Sequence, residues 1–236
     1  MSKKALIVST SHNVLGSTGY PTGLWLPELT HPIKEFEEAG FEFDILSIKG
    51  GDIPVDPFSD PNNPDGMNTE DNLSKDFLTN KNNLLKDTKS LSEISSKDYD
   101  FILFSGGNGA IYDFPNNELV QEIILSFWQE EKFVSAICHG SAALVNVKLP
   151  NGDFLVANKQ VTGFTNEEEK MAESKIGAKY VPFYLEDALI ENKANFKKEA
   201  AFTPFIQRDG KLITGQQNFS GELLGKEIVK ALKHNS

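Results

Sequence analysis

The chain has 236 residues, 39% of them hydrophobic, a formal net charge of −11 and a pI near 4.9. That length suffices for one large domain with its own core, and the acidity argues against a nucleic-acid partner or an anionic membrane surface. The only cysteine, Cys138, has no internal disulfide partner, and the apolar run behind Lys3 and Lys4 is too short for a signal-peptide core or a membrane span, so a soluble cytoplasmic protein is expected.

In chain order, ALIV at 5–8 is a continuous apolar run that predicts a first parallel strand. A polar, glycine-containing segment follows over 9–23. From 24 onward Trp25, Leu26, Leu29, Ile33, Phe36 and Ala39 recur at threes and fours, predicting a helix that ends at Gly40. The alternating FEFDILSI at 41–48 completes a βαβ unit with a right-handed connection. Residues 49–72, rich in proline, aspartate and glycine, read as a long loop that covers something. Residues 73–94 are polar and weakly helical, and 49–95 is expected as a cap-like insertion within a single domain over 1–236.

FILF at 101–104 predicts a strand entering the glycine-rich turn SGGNGA; an amphipathic helix follows at 118–130 and a strand at 133–137. Strands alternating with helices predict an α/β fold, a doubly wound, mostly parallel sheet. Beyond 137, LPNGDFLVANKQVTGF reads as a hairpin turning on Asn151 and Gly152, and Asn166 as the cap of an acidic helix. A helix around 185–192, two strands flanking Asp209 and Gly210, and a closing helix at 222–233 complete the chain.

The chemistry centres on FVSAICHGSAAL at 133–144, a buried strand turning into a helix with Cys138 at the corner. A thiol placed there would meet the positive end of a helix dipole, which favours thiolate. The SGGNGA turn lacks both the Lys-Ser/Thr of a phosphate loop and the spacing of a dinucleotide fingerprint. Its amides at Gly107 and Asn108, with that of His139, could instead form an oxyanion hole. From spacing alone, the ordinary reading of Glu28 is a solvated helix-face glutamate, though a carboxylic acid beside a thiolate would form a coupled pair. Glu28 and His31 also form E-x-x-H, a metal pair without a visible third ligand, so no metal and no cofactor is expected. Of His12, His31, His139 and His234, only His234 lies well downstream of the cysteine, which argues against glutamine hydrolysis. His139 adjoins Cys138 and can serve it only if a sharp turn folds the ring back.

The set TGLWLPEL (22–29), GGDIPVDPFS (50–59), SGGNGAIYDFP (105–115), AICHG (136–140) and VTGFTNEEE (161–169) resembles the DJ/PfpI superfamily, and most of all its heat-shock-chaperone and glyoxalase III branch. VPFYLEDAL and GKLITGQ extend the likeness toward the end of the chain. The resemblance implies a flavodoxin-like sandwich with a nucleophile elbow at Cys138, and a homodimer. It further implies His139 as the histidine beside the nucleophile, Glu28 as the acid that meets the thiol, and Glu169 as the acid that orients the histidine. The activity implied is a glutathione-independent glyoxalase, a lyase acting on small 2-oxoaldehydes through the cysteine. Alternatives are a holding chaperone for unfolded clients, a redox-sensing thiol protein, a deglycase, or an amidase or peptidase. Asn108 stands where the branch often has histidine, and Ser141 where a proline commonly follows CHG.

Overall fold

The computed structural model describes residues 2–234. In chain order the elements are β1 (Lys4–Ser9), α1 (Pro27–Glu38), β2 (Glu42–Ser47), β3 (Lys49–Gly51), α2 (Asn72–Asn80), β4 (Thr88–Ser90), β5 (Phe101–Phe104), α3 (Ala110–Asp113), α4 (Glu118–Gln129) and β6 (Phe133–Ile137). They continue with β7 (Gln160–Val161), α5 (Asn166–Ile176), α6 (Leu185–Glu191), β8 (Asn195–Phe196), β9 (Ile206–Asp209), β10 (Leu212–Gly215) and α7 (Gly221–His234).

Eight strands form one sheet in the order β3-β4-β2-β1-β5-β6-β10-β9. The six inner strands run parallel, and β3 and β9 close the edges antiparallel. The apolar strands β5 and β6 are buried along their whole length, as parallel strands covered on both faces must be. From β1 the chain grows outward through β2 to β4; it then returns to the other side of β1 for β5, β6 and β10. That reversal between β1 and β5 opens a crevice beyond their carboxyl ends, into which the turns after β1, β5 and β6 project. The fold is thus the flavodoxin-like α/β sheet with helices packed against it. None of its helices is long and apolar enough to cross a membrane, among the described residues.

Pro27 occupies the first turn of α1, where its missing N–H is one of the helix's unpaired donors, so the helix starts there rather than at Leu24. Pro32 lies inside α1 without ending it. Against this face α7 packs closely: a Cβ on Gly225 would stand 3.0 Å from Pro32 Cα and from Glu35 Cβ.

Three local expectations are corrected. The stretch 49–95, expected as a long loop over 49–72 and weak helix over 73–94, also carries β3 and β4, which extend the main sheet. These strands are three residues each and polar, and cross-strand hydrogen bonds rather than apolar alternation hold them. At Asn151 and Gly152 the turn forms, with Leu149 N–H donating to the Asp153 carbonyl at 2.8 Å, but only the single bridge Lys148–Phe154 follows, so there is no two-stranded hairpin. The α5 cap is Thr165, not Asn166: its hydroxyl accepts from Glu168 N–H at 3.2 Å while the Glu168 carboxylate accepts from Thr165 N–H at 2.9 Å.

Candidate active site

Cys138 sits where β6 ends, at φ +56, a left-handed conformation that costs an ordinary residue about 1–2 kcal/mol. The helix expected after the strand forms at Cys138–Leu144, as a 3₁₀ helix. Its sharpness is what brings the neighbouring side chains together: the His139 ring folds back until Nδ1 lies 3.6 Å from Cys138 Sγ. The other ring nitrogen, Nε2, lies 2.7 Å from Glu169 Oε2 on α5, with both side chains 2% exposed. With Nε2–H donating to that carboxylate, Nδ1 presents its lone pair to the sulfur. Phe164 packs against the ring at 4.5 Å between centroids and leaves it little room to rotate.

On the opposite side of the sulfur stands Glu28, 1% exposed. This corrects the reading of a solvated helix-face glutamate. The glycine turn after β5 packs onto this face of α1, and a Cβ on Gly106 would collide with Glu28 Oε2 and the Ile137 carbonyl. Only glycine admits the carboxyl so close to the thiol. Burial holds the Glu28 carboxyl well above its ordinary range, and the buried Glu168 and Asp56 push in the same direction. Burial, and then the Glu28 carboxylate, push the Cys138 thiol up as well. The expected thiolate stabilisation by a helix dipole is therefore outweighed, since desolvating the anion and setting a carboxylate beside it both favour the thiol. The two groups form a coupled pair in which burial favours the proton-holding form of each.

Gly107 and Asn108 line the cavity above Cys138, but the His139 amide donates to the Cys138 sulfur itself. The Asn108 side chain is committed to Asp56, a buried carboxyl that also accepts from the Thr22 hydroxyl at 2.7 Å. Of the other histidines, His31 pairs with Asp71 at 3.1 Å while Glu28 turns inward, so E-x-x-H does not converge. His12 stacks on Tyr112 at 4.3 Å, and His234 is exposed at the end of α7. Among the described residues, no group of three or more His, Cys, Asp or Glu side chains is arranged to hold a metal ion.

Sequence reasoning passed over several residues of the site. Tyr180 lies against Glu169, and burial followed by that carboxylate pushes its phenol up. Glu168 accepts from Phe202 N–H at 2.8 Å and from the Gln216 side-chain amide at 2.9 Å, seating Phe202 in the cavity wall. Asp56, within a quoted motif, carried the signal of an acid set among prolines and apolar residues. The cavity itself measures about 470 Å³, with Cys138 and Glu28 on its wall and Phe58 and Met67 of the 49–95 stretch at its mouth.

The model of the DJ-1/PfpI family matches residues 23–231. The chain is 31% identical to the protein named glutathione-independent glyoxalase HSP31 from Saccharomyces cerevisiae, over 98% of this chain and 99% of that one. A crystal structure of Rapid Encystment Protein 24 KDa from Francisella tularensis superposes with a TM-score of 0.89 at 40% identity, covering 98% of this chain and 99% of that one. Glyoxalase III from Candida albicans superposes with a TM-score of 0.81 at 27% identity, covering 97% of both chains. With this fold, an elbow cysteine at the end of β6 and a family match over most of its length, the chain belongs to the DJ-1/PfpI family.

Proposed function

We propose that the chain is a glutathione-independent glyoxalase, converting 2-oxoaldehydes such as methylglyoxal to 2-hydroxy acids on Cys138. The observation that carries this reading is the single thiol held between a protonated carboxyl, Glu28, and an imidazole, His139, whose lone pair faces the sulfur. The full-length similarity to HSP31 and to glyoxalase III supports it. His139 Nδ1 takes the thiol proton as sulfur adds to the aldehyde carbon, giving a hemithioacetal. Glu28 gives its proton to the aldehyde oxygen as sulfur adds and, now a carboxylate, carries the hydrogen of that carbon to the ketone carbon. The proton held by His139 goes to the ketone oxygen, and the hydroxyl on the sulfur-bound carbon returns its proton to Glu28 as the thioester forms. The aldehyde carbon is thereby oxidised and the ketone carbon reduced, so no external hydride carrier is required. Water then cleaves the thioester to release the hydroxy acid and restore the thiol.

Methylglyoxal consumption and lactate formation without glutathione test this proposal. Cys138→Ala should lose at least a thousandfold in kcat/KM; full turnover by that variant would sink the reading. The thiol–imidazole–carboxylate line Cys138, His139, Glu169 favours amide or ester hydrolysis as the second reading, because a base oriented by a carboxylate beside a nucleophile is what acyl transfer needs. A redox sensor needs an exposed thiol of lowered pKa, whereas Cys138 is buried and pushed up. A dimer, and a holding activity on unfolded clients, remain proposals for sedimentation and aggregation assays.

A further inference from the structure

The cavity is much larger than a three-carbon substrate needs. Methylglyoxal has five heavy atoms; at about 30 Å³ for each water-sized group it fills on the order of 150 Å³. The cavity holds about 470 Å³. The unused space is not polar. Five of the chain's exposed large apolar side chains, Tyr20, Phe58, Met67, Met171 and Phe219, stand together around its mouth, each at least 41% exposed. Aromatic rings and thioethers placed around one opening suit a flat apolar body, which they contact through faces and edges.

One charge accompanies them. Among the described residues, Lys175, in the last turn of α5, is the only lysine or arginine on the cavity wall. Its ammonium makes no ion pair, side-chain hydrogen bond or ring contact among the described residues, whereas nearby Lys179 lies 4.7 Å from the centre of the Tyr184 ring. Among the described residues, the only carboxylic acid on the wall is Glu28, which is 1% exposed and turned to the thiol. In a chain of net charge −11, the mouth of this cavity thus carries an unpaired cation with no competing carboxylate.

We infer that the preferred substrates are aryl 2-oxoaldehydes bearing a carboxylate at the end remote from the reacting carbons. The oxoaldehyde would lie at Cys138, the ring among the apolar collar, and the carboxylate against Lys175. This inference rests on the glyoxalase reading for its chemistry and deepens it on substrate class. The step balances as before: the aldehyde carbon is oxidised, the ketone carbon reduced, one water is consumed, and an aryl hydroxy acid leaves. A substrate such as 4-carboxyphenylglyoxal, with about thirteen heavy atoms, fills on the order of 390 Å³ by the same measure.

The test is kcat/KM for methylglyoxal, phenylglyoxal and 4-carboxyphenylglyoxal, with calorimetric binding of the unreactive 4-acetylbenzoate and acetophenone. Wild type should show a KM at least tenfold lower for phenylglyoxal than for methylglyoxal. It should also favour the carboxylated aryl substrate over the plain one at least fivefold. Lys175→Glu should bring that last ratio below one, and Lys175→Arg should retain it. An equal KM for methylglyoxal and phenylglyoxal, or a ratio unmoved by Lys175→Glu, overturns the inference while leaving the glyoxalase reading intact. Binding of 4-acetylbenzoate that exceeds acetophenone and depends on Lys175, with no aldehyde turned over, upholds the binding preference and removes the glyoxalase reading instead.

Discussion

Replacing Glu28 with glutamine should make the protein more stable at neutral pH and nearly inactive. The carboxyl is buried and held above its ordinary value of 4.5, chiefly by desolvation. In the unfolded chain it ionises freely as pH rises through 4.5; in the fold it keeps its proton. Between those states the native protein binds more protons, so stability falls as pH rises through that window. Over the range in which the fold keeps the proton while the unfolded chain ionises, the fold forfeits about 1.36 kcal/mol for each pH unit. Glutamine has the same shape, can accept from Gly106 N–H as Glu28 does, and has no charge to lose. Denaturant unfolding of wild type and Glu28→Gln at pH 5 and pH 7 measures the effect. The variant should gain more stability over wild type at pH 7 than at pH 5. Turnover should drop about 10²- to 10⁴-fold with loss of the proton carrier. A stability gap equal at both pH values, or a variant less stable than wild type at pH 7, would refute the reasoning.

Glu169→Gln should lower kcat about a hundredfold with little change in KM, because the His139 ring loses the carboxylate that fixes which nitrogen carries the proton; steady-state kinetics on methylglyoxal decide it. Gly106→Ala should destabilise by about 1–3 kcal/mol and abolish turnover, since its Cβ would occupy the place of Glu28 Oε2; thermal unfolding and activity read the two effects separately. Asp113 is pushed up to about 6 by burial, while accepting from the Ser11 N–H and the Thr10 hydroxyl. By the same sign as Glu28, it should remove about 3 kcal/mol of stability as pH rises from 4 to 6. Asp113→Asn should flatten that part of the stability profile, and an unchanged slope would exclude Asp113 as its source.

The parallel core of the fold was legible because its signal is local. Strands β1, β5 and β6 are buried on both faces, so ALIV in β1 and FILF in β5 are continuous apolar runs and β6 is interrupted only by Ser135. The short strands β3 and β4, at one margin of the sheet, were not legible: three polar residues need no apolar pattern when cross-strand hydrogen bonds alone hold them. The turn at Asn151 and Gly152 was legible, but whether strands continue from it depends on what lies beside them. Asn166 and Thr165 are both good caps, and only the reciprocal bonds with Glu168 separate them.

For the site, the sequence by itself determined the reactive atom and its corner: one cysteine, an apolar strand before it, a histidine and glycine after it. The resemblance then supplied Glu28 and Glu169 as candidates. What only the tertiary structure decided is their environment. Glu28 lies on a helix whose spacing suits solvent, and it is buried because a glycine turn remote in sequence packs over it. The positive φ of Cys138 leaves no trace in composition, yet it turns His139 back onto the sulfur. Proton affinity follows from desolvation and from neighbouring charge, and both depend on the distances that folding sets, so the thiol expected to be acidic is instead buried beside an acid that keeps its proton.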